Sequence, residues 1–183
     1  MPSHVEEKQI PVAAELQSNP QPAPAPASAA KRTKPCDSAK HREFDFWLGN
    51  WQVFTPDGKL VATNRIESRF DGCALQETYQ TINGAFGGGS LNAFDATRSI
   101  WHQTWMDKGG TVLVIEGGLE GDAMVLRGPL LDAEGKSVMN EIRWQPKPDK
   151  SVIQTWTTID AVTGEKKPVF VGIYRRTDEP ATP

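Results

Sequence analysis

Residues 74–81 read ALQETYQT, with Leu75, Glu77 and Tyr79 alternating against Ala74, Gln76, Thr78 and Gln80. In a strand, alternate residues share a face. The Leu75 set is the more apolar, so it should turn inward and carry Glu77 with it. A carboxylate there must be paired, hydrogen-bonded or protonated, because an unpaired buried charge costs several kcal/mol. Two readings stay open. Glu77 is either half of a structural pair with an arginine, or a ligand-orienting or acid/base group with a raised pKa.

The segment IWHQTWMD at 100–107 sets Trp101, Gln103 and Trp105 on one face and His102, Thr104 and Met106 on the other. Two indoles flanking an amide suit a binding wall, flat and apolar with one polar handle; they suit plain core packing equally well. Ser90, Asn92 and Arg143 are further candidates for orienting polar groups, although alternation leaves their facing open. If Glu77 and Arg143 both point inward, they neutralise each other across the interior. A reversed register would turn His102 inward and make it an axial ligand for haem; otherwise no cofactor is expected. The histidines His4 and His41 have no partners at metal-ligand spacing. Enzyme signatures such as a Gly-x-Ser-x-Gly elbow, a phosphate loop or a dinucleotide fingerprint are missing. The run GAFGGGS at 84–90 has no lysine and opens a strand instead of a helix, so it is not read as a phosphate cradle.

These residues need a scaffold, and the turn signals describe one. Asp57-Gly58, Asp71-Gly72 and Asn83-Gly84 are strong hairpin signals of the type I′ kind. Further turns fall at 95–98, 108–110, 120–122, 132–136, 146–150 and 162–168. Between them lie ten segments rich in β-branched and aromatic residues. Even spacing with hairpin links predicts an all-β, up-and-down antiparallel sheet. Left open, ten strands would expose two long edges, so closure into a barrel is expected. Gly87–Gly89 and Gly117-Gly118 fit the coiling that closure demands. Pro129 suggests a bulge or a strand that ends early.

At the entrance stands FDFWLGNW, residues 44–51. A short helical turn over 38–48 would place Phe44, Trp47 and Leu48 on one face, able to plug one mouth of the barrel. Gly49 then lets the chain turn into the first strand, and Trp51 points inward beneath the plug. This arrangement resembles the lipocalin and fatty-acid-binding-protein superfamily, the calycins. They open the first strand with Gly-x-Trp after a short helical turn and lay an arginine of the last strand across the indole. The resemblance implies that Gly49 and Trp51 form this signature, with Arg176 from VFVGIYRR as the arginine. FDFWLGNWQV, DGCALQE, GGGSLNAFD, WHQTWMD, MVLRG and the closing aromatic-x-Tyr-x-Arg also resemble a bacterial family of lipocalin-like proteins without an assigned activity. That likeness covers most of residues 42–177. It implies a fold and brings no catalytic residues.

The chain of 183 residues divides into a Pro/Ala-rich tail over 1–40, a barrel over 41–178 and a short flexible end at 179–183. The tail cannot bury enough surface to offset its ordering entropy, so it is expected to be disordered. A net charge of −3 with mixed signs and no basic stripe argues against a nucleic-acid surface. No run approaches the ~20 apolar residues of a membrane helix, and the N-terminus lacks the apolar core of a secretory signal. A cytoplasmic location is expected as the sequence is written, or a periplasmic one if an export signal has been trimmed. Cys36 and Cys73 are either a bridge stapling the leader to the barrel or two independent thiols. The leading expectation is binding of a small, largely apolar or amphipathic molecule in a tryptophan-lined cavity, with Trp101 and Trp105 as wall and Glu77, Asn92, Gln103 and Arg143 as orienting groups. The alternatives are a cavity enzyme of isomerase, cyclase or hydratase type using Glu77, and an interaction module tethered by its tail.

Overall fold

The structure, a computed structural model, describes residues 35–131, 135–160 and 162–177. Most of the expected tail and the expected C-terminal end lie outside these residues. Ten antiparallel strands follow one another in chain order: β1 (Gly49–Phe54), β2 (Leu60–Arg69), β3 (Ala74–Thr81), β4 (Gly87–Asp95), β5 (Ile100–Asp107), β6 (Val112–Glu120), β7 (Ala123–Leu131), β8 (Ser137–Pro146), β9 (Val152–Ile159) and β10 (Lys166–Arg176). Each pairs with its sequence neighbours, and β10 returns to pair with β1, closing the barrel. Among the described residues no helix is long and apolar enough to cross a membrane.

The hairpins fall where the turn signals lie; Asp71 and Gly72, at φ +55° and +92°, both take the positive φ expected of them, but the other two pairs differ in type. Gly58 and Gly84 have φ of +87° and +69°, whereas Asp57 and Asn83 before them are not at positive φ. The amide of Gly58 bonds to Thr55 O and that of Gly84 to Thr81 O, both at 2.9 Å. A type I turn ending on a left-handed glycine meets the same need with one strained position instead of two. Pro129 makes no bulge. It pairs in register with Met139 of β8, and the β6–β7 ladder extends only as far as Arg127. Its missing N–H therefore falls where β7 has no β6 neighbour to donate to.

The plug consists of two 3₁₀ turns, Ala39–Arg42 and Asp45–Trp47, in place of one helical segment. Leu48 has already left the helix, with φ −55° and ψ 139°, and is half-buried; Phe44 and Trp47 are fully buried. The two rings stack 4.9 Å apart and rest against Trp144, 5.2 and 5.3 Å away. Order begins earlier than residue 41. Cys36 is bridged to Cys73 at the start of β3, and Arg42 bonds to Cys36 O and Gly72 O. In a chain-entropy view, closing this loop with a separation of 37 residues contributes roughly 4 kcal/mol.

Arg176 joins the two ends of the barrel sheet to the plug. Its guanidinium lies 4.3 Å from the Trp51 ring centroid and donates to Leu48 O at 2.6 Å and Phe46 O at 2.9 Å. Gly49, at φ +130°, is required here: a Cβ would stand 2.5 Å from Arg176 Nη1. Replacing Arg176 with methionine removes the cation–π contact and leaves two carbonyls unbonded. The expected loss is about 3 kcal/mol in urea-denaturation stability, and a loss below about 0.5 kcal/mol would show that the seal does not depend on this residue.

Candidate functional site

Inside the barrel, the inward residues of β2, β3, β4 and β5 build a polar chain. Glu77 on β3 is 6% exposed. Asn64 Nδ2 of β2 donates to its Oε1 at 2.8 Å, and Ser90 Oγ of β4 donates to its Oε2 at 2.7 Å. Asn92 Nδ2 donates to Ser90 Oγ at 2.9 Å and to Leu75 O at 3.1 Å, and Gln103 Nε2 donates to Asn92 Oδ1 at 2.6 Å. The donors run in one direction, from Gln103 through Asn92 and Ser90 to the carboxylate, and each polarises the next. The strand registers make this geometry, since Glu77 stands opposite Ser90, and Asn92 opposite Gln103.

No ion pair among the described residues involves Glu77. The contrast with Glu141 is instructive, because that residue is also buried. Glu141 lies on the outer face of β8 and receives Arg127 at 2.7 Å and Lys166 at 2.5 Å. Burial pushes its carboxyl up, and the two cations outweigh that and hold it below the ordinary value. Glu77 has only neutral donors. Desolvation dominates, and the bonds from Ser90 and Asn64 offset it in part, so its pKa rises from 4.5 to about 7.

Glu77 lines a cavity of about 220 Å³. Half of its lining residues are aromatic, among them Tyr79, Trp105, Trp144, Trp156 and Tyr174. Trp144 lies against the plug, whereas Phe86 and Val169, from the hairpins at the opposite end, are exposed. The cavity therefore reaches solvent at the end away from the plug. Gly88 makes room for its wall: a Cβ there would meet the Trp105 ring at 2.6 Å. Asp107 sits one inward position nearer the mouth than Trp105, accepting from Trp105 Nε1 at 3.1 Å and from the amides of Gly109 and Thr111 at 2.8 and 3.2 Å. Burial raises its carboxyl, and these bonds more than offset the effect, leaving it below the ordinary value. Burial also pushes the Tyr174 and Tyr79 hydroxyls up, reinforced by the charge of Glu77.

The residues singled out from sequence separate into three groups. Glu77, Tyr79, Gln103 and Trp105 line the cavity; Ser90 and Asn92 support Glu77 from behind. Trp101 faces inward but belongs to the plug, packing 5.7 Å from Phe44 and donating to Glu43 at 3.2 Å. Four residues separate it from Trp105, about 13 Å along a strand, so the two indoles serve different ends of the barrel. Arg143 faces outward. Ile142 and Trp144 on either side of it are buried and line the cavity, and its guanidinium donates to Gln145 at 2.9 Å, so no neutralisation of Glu77 by Arg143 occurs.

His102 also lies on the outer face, its ring nitrogens 2.9 Å from Glu116 and from Thr104. The register that would make it an axial ligand is not the one adopted. Among the described residues no group of three or more His, Cys, Asp or Glu side chains is placed to hold a metal ion. Asn64, Trp144, Gln154, Trp156 and Tyr174 were not singled out. Alternation carried the signal for Asn64, which sits between Ala62 and Ile66 on one face of β2, both buried. Tyr174 donates to Gln154, and Trp156 donates to Asn140 at 2.8 Å.

No family model matches the chain, and no curated protein is significantly similar to it. The closed ten-stranded antiparallel barrel is compatible with a calycin-like fold.

The raised pKa of Glu77 has a definite sign in stability. Below pH 4.5 both folded and unfolded chains hold the proton. From there to about 7 the unfolded chain ionises first, so folding weakens as pH rises. Above about pH 7 the penalty is complete, on the order of 3 kcal/mol. Urea midpoints measured across this range should fall more steeply in the wild type than in Glu77→Gln, by nearly one proton's worth of slope. Parallel profiles would refute the assignment.

Proposed function

We propose that the barrel binds a small, largely apolar molecule in its aromatic cavity, with Glu77 and Gln103 orienting the polar end of the ligand. The observation that supports this reading most is a solvent-reaching aromatic cavity with one carboxyl group buried in its wall and unmatched by any cation. A volume near 220 Å³ is below the ~300–1,000 Å³ of pockets for drug-sized ligands. It suits a molecule on the order of ten non-hydrogen atoms, since a water occupies about 30 Å³ of liquid. The likeness of FDFWLGNW and the closing Tyr-x-Arg to the bacterial lipocalin-like family agrees with a cavity binder and names no ligand.

A cavity enzyme is the second reading, and one observation favours it. A carboxyl group that titrates near 7 and receives a directed chain of donors is matched to proton transfer at neutral pH. In that reading Glu77 moves a proton to and from the bound molecule in an isomerisation, cyclisation or hydration. The tethered interaction module depends on residues outside those described.

Native mass spectrometry of gently purified protein tests the binding reading. An added small-molecule mass that vanishes on denaturation is expected, retained in Glu77→Gln if the protein is a binder. A bare chain mass from protein purified from its own source, in every charge state, would contradict it. Turnover of the released compound that is lost in Glu77→Gln would instead establish the enzyme.

A further inference from the structure

The lining of the cavity has an imbalance of sign that narrows the ligand class. Among the described residues two carboxylates face it, Glu77 in the wall and Asp107 nearer the mouth, and no lysine or arginine does. Lys108, beside the mouth, is turned onto Gln80 and the carbonyl of Gly84 at 3.3 and 3.2 Å. Lys166, at the same end, is held by Glu141. Both carboxylates are set on one wall by register. Glu77, Ser90 and Trp105 form one row across β3, β4 and β5; Tyr79, Gly88 and Asp107 form the next row toward the mouth. The rows are about 7 Å apart. Beside Glu77, Asn64 Oδ1 is a further buried acceptor without a hydrogen-bond partner.

Half of the lining is aromatic, and aromatic faces carry negative potential. Tyr79 and Trp105 meet edge to face with centroids 6.3 Å apart, Trp105 in the Glu77 row and Tyr79 in the next row toward the mouth. A wall of π faces, two carboxylates and no cation disfavours an anion and leaves Glu77 uncompensated by a neutral guest. Resting on the cavity-binding reading above, we infer that the natural ligand is a compact organic ammonium ion, its cationic nitrogen held between the Glu77 carboxylate and the Trp105 and Tyr79 rings. Asp107, at the mouth, adds attraction for the entering cation. The remaining rings, Trp144 and Trp156 among them, take up the hydrocarbon part.

Three benzyl compounds of similar size and different charge decide the matter by tryptophan fluorescence: benzyltrimethylammonium, its carbon isostere neopentylbenzene, and the anion phenylacetate. The ammonium ion is expected to bind about tenfold or more tighter than the isostere, with phenylacetate weakest. Glu77→Gln and, separately, Asp107→Asn should shrink that preference. If Glu77→Gln does not fold, the three-probe comparison on the wild-type protein decides alone. An isostere that binds as tightly as the ammonium ion would overturn the cation assignment and leave the cavity reading standing. Failure of all three to bind would remove both.

Discussion

Arg176 lies across the indole of Trp51 and, with the same guanidinium, holds the carbonyls of Phe46 and Leu48. This single group connects the last strand, the first strand and the plug. It works only because Gly49 has no side chain in its path. Once the plug is fixed there, Phe44 and Trp47 can pack on Trp144 and close one mouth. Everything about the interior follows from that closure, because a barrel open at both ends would admit water along its axis. The Cys36–Cys73 bridge secures the approach to the plug from the other side.

A closed end makes the interior apolar enough for a carboxyl group to matter. Among the described residues the barrel contains two buried glutamates and treats them oppositely. Glu141, facing out, is neutralised by two cations. Glu77, facing in, is given three neutral side chains in a row and no cation. A scaffold that merely tolerated a buried charge would be expected to pair it, as it does on the outer face. Leaving it unpaired beside a cavity is a stability penalty, which the proposed binding of a small molecule would account for.

The fold was readable because each of its determinants is local. Turn residues mark the hairpins, period-2 alternation marks the faces, and the aromatic cluster before Gly49 marks the plug. Turn type is readable only in part, since Asp-Gly and Asn-Gly serve both the two-residue positive-φ geometry, as at Asp71-Gly72, and the type I turn with a left-handed glycine, as at Asp57-Gly58 and Asn83-Gly84. The site was legible in part for the same reason. Alternation placed Glu77, Tyr79, Gln103 and Trp105 inward, but it gives no height along the barrel axis. Trp101 and Trp105 therefore looked equivalent, although one belongs to the plug and the other to the cavity. The facing of Arg143 stays open in the sequence because β8 has polar and apolar residues on both faces; only the folded barrel shows that Ile142 and Trp144 point inward. Alternation also carries the signal for Asn64, whereas Gln154 acquires its role through its contact with Tyr174 on the neighbouring strand, which no single segment reveals.

The central claim is that Glu77 is an ionisable group held without a countercharge in the buried wall of the cavity. Carbon-13 NMR titration of the side-chain carboxyl carbon of Glu77, assigned by its absence in Glu77→Gln, measures this directly. The account predicts a titration midpoint near pH 7, far above that of an ordinary glutamate. A midpoint at or below the ordinary 4.5 would mean that the carboxylate is compensated by water or charge, and the account of the cavity would be wrong.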